Sequence, residues 1–275
     1  MPDPEQTPHL SVILITHNES RNILGCLRSV AFAGEWIVVD SGSTDYTREI
    51  ALSFGAHVVK TDDWPGFGAQ KNRALALARG RWVLSIDADE RVSEALAAQI
   101  NAAIRTPDVH LATTSAANAA SGPVGYELPR LSSFCGQWMK HGDWYPDRVL
   151  RLFRREAGRF SDDRVHERLI VQGEVAALSA HLLHETMPSL DIALDKMNRY
   201  SSGRALDLVR AGRRGSLASA LGHALWAFVR GYLIKRGFLD GRLGLVLALH
   251  VAEGTYYRYV KMWMLSRTSK ALSAD

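Results

Sequence analysis

The residues best placed to do chemistry stand directly after apolar runs. Asp87, Asp89 and Glu90 follow the run RWVLSI, with one residue between the two aspartates. Hard oxygen donors so spaced suit Mg2+ or Mn2+, which take one or two carboxylates together with substrate phosphates. A cation held there would neutralise the charge that builds on a diphosphate leaving group. Two further polar clusters repeat the arrangement. Thr16-His17-Asn18-Glu19 follows LSVILI, and Asp40-Ser41-Gly42-Ser43-Thr44-Asp45 follows EWIVV. Taken singly, each cluster also reads as a helix cap or turn, because Asp, Ser, Thr and Asn are the usual residues there. Three together mean more, since ligands of open parallel sheets bind beyond the carboxyl ends of the strands.

The elements that must position these clusters alternate along the chain. Leu10–Thr16, Glu35–Asp40, Ala56–Lys60 and Arg81–Asp87 are apolar, β-branched runs of strand length. Between them, Asn22–Phe32, Thr44–Gly55 and Gln70–Ala78 carry apolar residues at helical spacing, and Ser93–Arg105 is a further helix. This order predicts an α/β fold, a mostly parallel sheet flanked by helices. Residues 106–123 turn Ala/Ser/Thr/Asn-rich and read as a loop or irregular edge element. Gly125–His184 reads as an α+β region facing an acceptor, and from Leu190 the pattern is helical to the end.

Composition bounds the function classes. Of 275 residues, 47% are hydrophobic and 23% charged, a balance that excludes a disordered or collagen-like chain. Two distant cysteines, Cys26 and Cys135, suit free thiols rather than a disulfide framework or metal clip. Met1–His9 has no basic start and no apolar core, so a secretory signal is not expected and a cytoplasmic location is. Charge is uneven: from Arg199 onward 13 Lys and Arg face 4 Asp and Glu, whereas the preceding part is net acidic. An anionic surface is therefore an expected partner of the tail. Nucleic acid is not, because no recognisable binding module accompanies the charge.

The motifs resemble the family 2 inverting glycosyltransferases of GT-A fold. LSVILITHNE looks like that family's first strand and nucleotide loop, VVDSGSTD like its second, and GRWVLSIDADE like its metal motif; Gly68-Ala69-Gln70-Lys71-Asn72 resembles the helix before the metal strand. The resemblance implies donor contacts from Thr16, Asn18, Glu19, Asp40, Ser41, Lys71 and Asp87. It implies a metal, Mg2+ or Mn2+, held by Asp89 with Asp87, and completed by His184. Many relatives carry an aspartate where this chain has Ser41, which removes one carboxylate from uracil selection. A GT-A-like catalytic domain is thus expected over 1–189, with a nucleotide-sugar half of about 8–105 and an acceptor half of about 106–189. A helical, basic extension over 190–275 follows.

GDWYPDRVLRLFRR, then Val165-His166-Glu167, then His184, look like the bacterial lipopolysaccharide core β-1,4-glucosyltransferases. That branch implies glucose from UDP-glucose placed on an inner-core heptose. Inversion needs a general base on the acceptor hydroxyl, for which Glu167 is the first candidate and Asp163 the second. A surface pairing of Glu167 with Arg164 or Arg168 is the bland alternative. His184 is equally readable as a structural histidine. Arg148 and Arg151 suit acceptor phosphates, or plain surface salt bridges. Trp144 and His166 belong to the same acceptor set, with Trp144 readable also as core.

Leu217–Ile234 is apolar but interrupted by His223 and Arg230, and it suits a helix lying in the headgroup region better than a spanning one. Leu243–Leu265 is a second such stretch. Both would place the protein peripherally on the inner face of the cell membrane; packing on the protein itself or on a second subunit is the alternative. Two other functions compete within this reading: transfer to a polyprenyl phosphate or another glycan, and sugar binding without catalysis. A sugar nucleotidyltransferase would open with a glycine-rich, arginine-bearing loop, where this chain has His17-Asn18-Glu19-Ser20-Arg21-Asn22.

Overall fold

The computed structural model describes residues 9–105, 122–161 and 167–271. Two compact units divide the chain: Met1–Arg130 with Arg148–His184, and Leu131–Asp147 with Glu185–Asp275. The division is not a single cut near residue 189, because 131–147 groups with the C-terminal helices.

The first unit begins with β1 (Leu10–Thr16), α1 (Ile23–Ser29), β2 (Glu35–Asp40), α2 (Thr47–Phe54), β3 (His57–Lys60), α3 (Phe67–Leu77) and β4 (Trp82–Ser85). There follow β5 (Glu90–Val92), α4 (Glu94–Arg105), β6 (Gly125–Phe134), which runs on into the second unit, β7 (Gln137–Trp138) of the second unit, and β8 (Asp147–Arg154). Next come β9 (Gly158–Phe160), β10 (Leu169–Val171), β11 (Val175–Ala177) and β12 (Leu182–Met187). The main sheet runs β3-β2-β1-β4-β8-β6-β12-β5. Its first four strands are parallel, as the alternating pattern requires, while β8 joins β4 and β12 joins β5 antiparallel, so the whole sheet is mixed.

Alternation along β1 explains why helices cover both faces. Val12 and Leu14 pack on one side with Ile23, Leu27, Leu96 and Ile100. Ile13, one residue out of phase, packs on the other with Ala74, Val83, Phe153 and Phe160. Strands buried on both sides read as continuous apolar runs. Two boundaries differ from expectation. α2 starts three residues later than the spacing suggests, because Asp45 accepts the Thr47 N–H at 3.1 Å and ends the loop there. β5 has no sequence signature, being three residues long and held by its ladder to β12 and by the Val92 N–H donating to Ser29 Oγ at 3.0 Å. The expected loop at 106–123 lies almost wholly outside the described residues.

The second unit contains α5 (Leu190–Arg210), α6 (Leu217–Phe228), a π-helical continuation over Val229–Ile234, a 3-10 turn over Gly237–Asp240, and α7 (Gly241–Ala271). Its core gathers Phe134, Met139, Met187, Ala193 and Leu247. Asp240 is buried beside it, where it accepts the His141 N–H at 2.9 Å and the Lys140 N–H at 3.3 Å.

Candidate active site

β1 and β2 end side by side, with Thr16 opposite Asp40 in the parallel register. Asp40 is 0% exposed. Its carboxylate accepts the Thr16 hydroxyl at 2.9 Å, the Ser43 N–H at 2.8 Å and the Ser43 hydroxyl. The Asn18 N–H in turn donates to Ser43 Oγ at 2.8 Å, and Asn18 Oδ1 accepts the Thr44 N–H at 2.8 Å. Asn18 holds φ 57°, a left-handed conformation that asparagine tolerates better than most residues. The two loops are thus laced together. Thr16 and Asp40 face each other within the lacing, so what they offer a ligand is the shape of the loops. Asn18 is exposed, and Glu19 and Ser41 are half-buried. Ser41 Oγ accepts from Gln70 Nε2 of α3 at 2.9 Å, a contact that ties the second loop to that helix.

Beyond β4 the chain turns at Asp87. The Asp87 N–H donates to Glu90 Oε2 at 3.0 Å, and the Glu90 N–H returns to the Asp87 carbonyl at 2.9 Å. From this turn a line of alternating charge extends in both directions. Glu90, fully buried, meets Arg151 at 2.8 Å and Arg130 at 3.3 Å. Arg151 also meets Asp87 at 2.5 Å; Asp87 meets Lys71 at 3.3 Å; Lys71 meets Glu167 at 3.0 Å. The order is Glu167, Lys71, Asp87, Arg151, Glu90, Arg130, with no two like charges adjacent. Buried charges are tolerated only when so paired. Burial alone would raise the Asp87 carboxyl, but the charges and hydrogen bonds of Arg151 and Lys71 outweigh it and hold the group well below the usual carboxylate range.

Lys71 reaches both carboxylates because α3 lies close against β9 and the segment after it. A Cβ added at Gly68 would come 1.9 Å from the Ser161 carbonyl oxygen, so only glycine fits there. Asn72 fixes the same approach, donating to the Phe160 carbonyl at 3.0 Å and accepting the Phe160 N–H at 2.9 Å.

Asp89 meets His184 of β12. The ladder of β5 with β12 sets His184 opposite Glu90, and His184 Nε2 lies 3.4 Å from Asp89 Oδ2. Of the three expected metal ligands, Asp89 and His184 are therefore together, while both Asp87 oxygens contact cationic side chains. Among the described residues no group of three or more His, Cys, Asp or Glu side chains forms a metal cage.

The expected acceptor residues separate. Arg148 and Arg151 are three apart on β8, which puts them on opposite faces of the strand. Arg148 is exposed; Arg151 is turned inward and is bound to Asp87 and Glu90 rather than open to an acceptor. Trp144 belongs to the second unit, half-buried and edge-on to Phe134 at 5.9 Å. Asp163 and His166 lie outside the described residues. Sequence reasoning missed Arg130 and Gln70, and gave Glu90 only as a neighbour of the aspartates. An arginine inside the apolar strand LPRLSSF was the available signal for Arg130.

The glycosyl transferase family 2 profile matches residues 11–159, more than half of the chain, and covers all three loop clusters. The chain belongs to glycosyl transferase family 2. It is an enzyme family, and the GT-A-type arrangement expected from the motifs is the one the sheet and its helices form. The chain is 30% identical to an uncharacterised glycosyltransferase of Rickettsia conorii, over 98% of this chain and 95% of that protein. It is 29% identical to the lipopolysaccharide core biosynthesis glycosyltransferase LpsC of Rhizobium meliloti, over 91% and 93%. Among solved structures, the mannosyltransferase PcManGT of Pyrobaculum calidifontis in complex with GDP-Man and Mn2+ aligns over 95% of this chain and 89% of its own. That alignment has 17% identity and a TM-score of 0.49. The family profile ends before Glu167 and His184, whereas the matches to the two sequence relatives span more than nine-tenths of the chain.

Proposed function

We propose that this glycosyltransferase moves a hexose, with inversion, from a nucleotide diphosphate sugar to a lipopolysaccharide core saccharide. UDP-glucose as donor and β-1,4 attachment to a heptose are the specific forms of that reading. They rest on the resemblance to core glucosyltransferases, and the likeness to LpsC agrees with core biosynthesis. The observation that carries the reaction is Lys71 between Asp87 and Glu167, next to the facing pair Asp89 and His184.

In this reading Glu167 takes the proton of the acceptor hydroxyl. The acceptor oxygen forms its bond to the anomeric carbon as the bond from that carbon to the diphosphate breaks, and the nucleoside diphosphate departs. Lys71 fixes the Glu167 carboxylate in place, and Arg151 holds Asp87 and Glu90 so that the turn carrying Asp89 keeps its form. Asp89 and His184 are the residues that would hold Mg2+ or Mn2+, and one carboxylate and one imidazole leave room for diphosphate oxygens. Such a cation supplies positive charge to the leaving group. Asn18, Glu19 and Ser41 are placed for the nucleoside.

The acceptor is lipid-linked in this reading, and the second unit supports action at the inner face of the membrane. Leu217–Ile234 has a mean hydropathy of 1.2, is only 17% buried, and passes by length and composition as a stretch able to cross a bilayer. Its exposed Leu217, Leu221 and Leu225 recur every four residues, one stripe of a helix. Leu233, Ile234, Phe238 and Leu239, and Leu245 and Leu249 of α7, are exposed as well. Arg213, Arg214, Lys235, Arg236 and Arg242 are exposed around them. Between Ala211 and Arg242 the sole carboxylate in the sequence is the buried Asp240, while Asp143 pairs with Arg230 at 2.9 Å. An apolar face ringed by cations suits anionic headgroups and shallow burial.

Incubating the protein with a panel of nucleotide sugars, Mn2+ or Mg2+ and truncated lipopolysaccharide tests the function. Transfer from one donor supports it. Transfer to a polyprenyl phosphate instead would replace the acceptor, and failure to turn over any donor would favour a sugar-binding protein.

A further inference from the structure

α5 and α7 enclose a cleft that the reaction above does not use. It has a volume of about 350 Å³, within the range of small-ligand sites, which commonly lie between helices of a bundle. α5 contributes Met197, Tyr200, Ser201 and Arg204, spaced as one helical face. α7 contributes the matching face from His250 to Arg258, and Trp144 also lines the cleft. The helices approach closely at Gly254, where an added Cβ would stand 3.0 Å from Met197 Cγ.

The lining is unusual in its polar groups. It carries two guanidinium groups, Arg204 and Arg258, and no carboxylate. His250 is 7% exposed, and among the described residues neither its Nδ1 nor the buried Nε of Arg258 has a hydrogen-bond partner. Trp144 and the largely exposed Tyr200 offer flat apolar surface.

We propose that this cleft binds a saccharide bearing a phosphate group, with the guanidinium groups of Arg204 and Arg258 on the phosphate and Tyr200 and Trp144 against the ring. Guanidinium geometry matches phosphate oxygens in pairs, and aromatic side chains accept the apolar face of a sugar. As a segment of the acceptor the ligand rests on the function proposed above, but its binding can be read without turnover.

The test is calorimetric titration of the full chain with glucose 6-phosphate, glucose and inorganic phosphate. Glucose 6-phosphate is expected to bind, and the other two each to bind about tenfold more weakly or less, as loss of a charge-assisted contact or a ring contact implies. Arg204→Gln and Arg258→Gln should each weaken glucose 6-phosphate by about tenfold or more. Tyr200→Ala should weaken it as well, and Arg199→Gln, on α5 outside the cleft, should not. If Arg258→Gln does not fold, the exposed Arg204 and Tyr200 carry the test. Absence of binding, equal affinity for inorganic phosphate, an equal loss in Arg199→Gln, or displacement by phosphatidylglycerol vesicles would overturn the proposal, the last in favour of a lipid headgroup. Binding without donor turnover would leave the cleft standing and remove the function.

Discussion

The two units dispose of their awkward groups in opposite ways. In the first, ionisable side chains are drawn inward and matched: Glu90 is fully buried yet meets two arginines, and Arg151 is buried between Glu90 and Asp87. In the second, apolar side chains are left outside: Leu225 is 66% exposed and Ile234 58%. Each arrangement costs stability locally, since desolvated charge and solvated hydrocarbon are both unfavourable. The contrast teaches where to look for work: the first unit invests in a rigid polar geometry, the second in a surface that only a partner would cover.

Breaking the charge line should have the largest effect. Arg151→Met leaves Asp87 and Glu90 without their shared cation, and removing one partner of a buried ion pair typically destabilises by about 3–5 kcal/mol. Chemical denaturation should report a loss of that size; a loss below about 1 kcal/mol would mean the line is solvated and not structural. Glu167→Gln tests the same line at its open end. It keeps the shape but cannot take a proton, so kcat should fall by roughly 10²-fold with donor affinity kept. If donor binding collapses instead, Glu167 belongs to the donor site. The smallest expected effect on folding comes from the other unit. Leu221→Glu with Leu225→Glu changes exposed positions, so stability should move by no more than about 0.5 kcal/mol for each. Cosedimentation with anionic vesicles should be lost, and the wild-type protein should bind less at high salt. Wild-type attachment that resists salt and yields only to detergent would point to an inserted helix. No attachment at all would mean that another protein surface covers the stripe.

What could be read in advance follows the same division. The first four strands were legible because each is a short apolar run closed by turn residues, with β1, β2 and β4 largely buried. β5 was not, since three residues carry no period and its place depends on β12. The charge line was invisible for a different reason: residues 71, 87, 90, 130, 151 and 167 are joined only by tertiary approach, through the missing side chain at Gly68 and the opposed faces of β8. That alternation along β8 would have separated Arg148 from Arg151, had it been applied. In the helical region the apolar content was plain, but periodicity does not tell which apolar positions face a neighbouring helix. Leu247 and Leu249, two residues apart on α7, are buried and exposed respectively.

The central claim is that the first unit performs metal-assisted sugar transfer at the facing pair Asp89 and His184. Its most direct test is donor consumption by the wild-type chain and by Asp89→Ala, each assayed with Mn2+ or Mg2+ and with excess chelator, beside a thermal unfolding measurement. The account predicts cation-dependent turnover in the wild type, none in Asp89→Ala, and unchanged unfolding. Full wild-type activity in chelator, or near-normal turnover in Asp89→Ala, would contradict it.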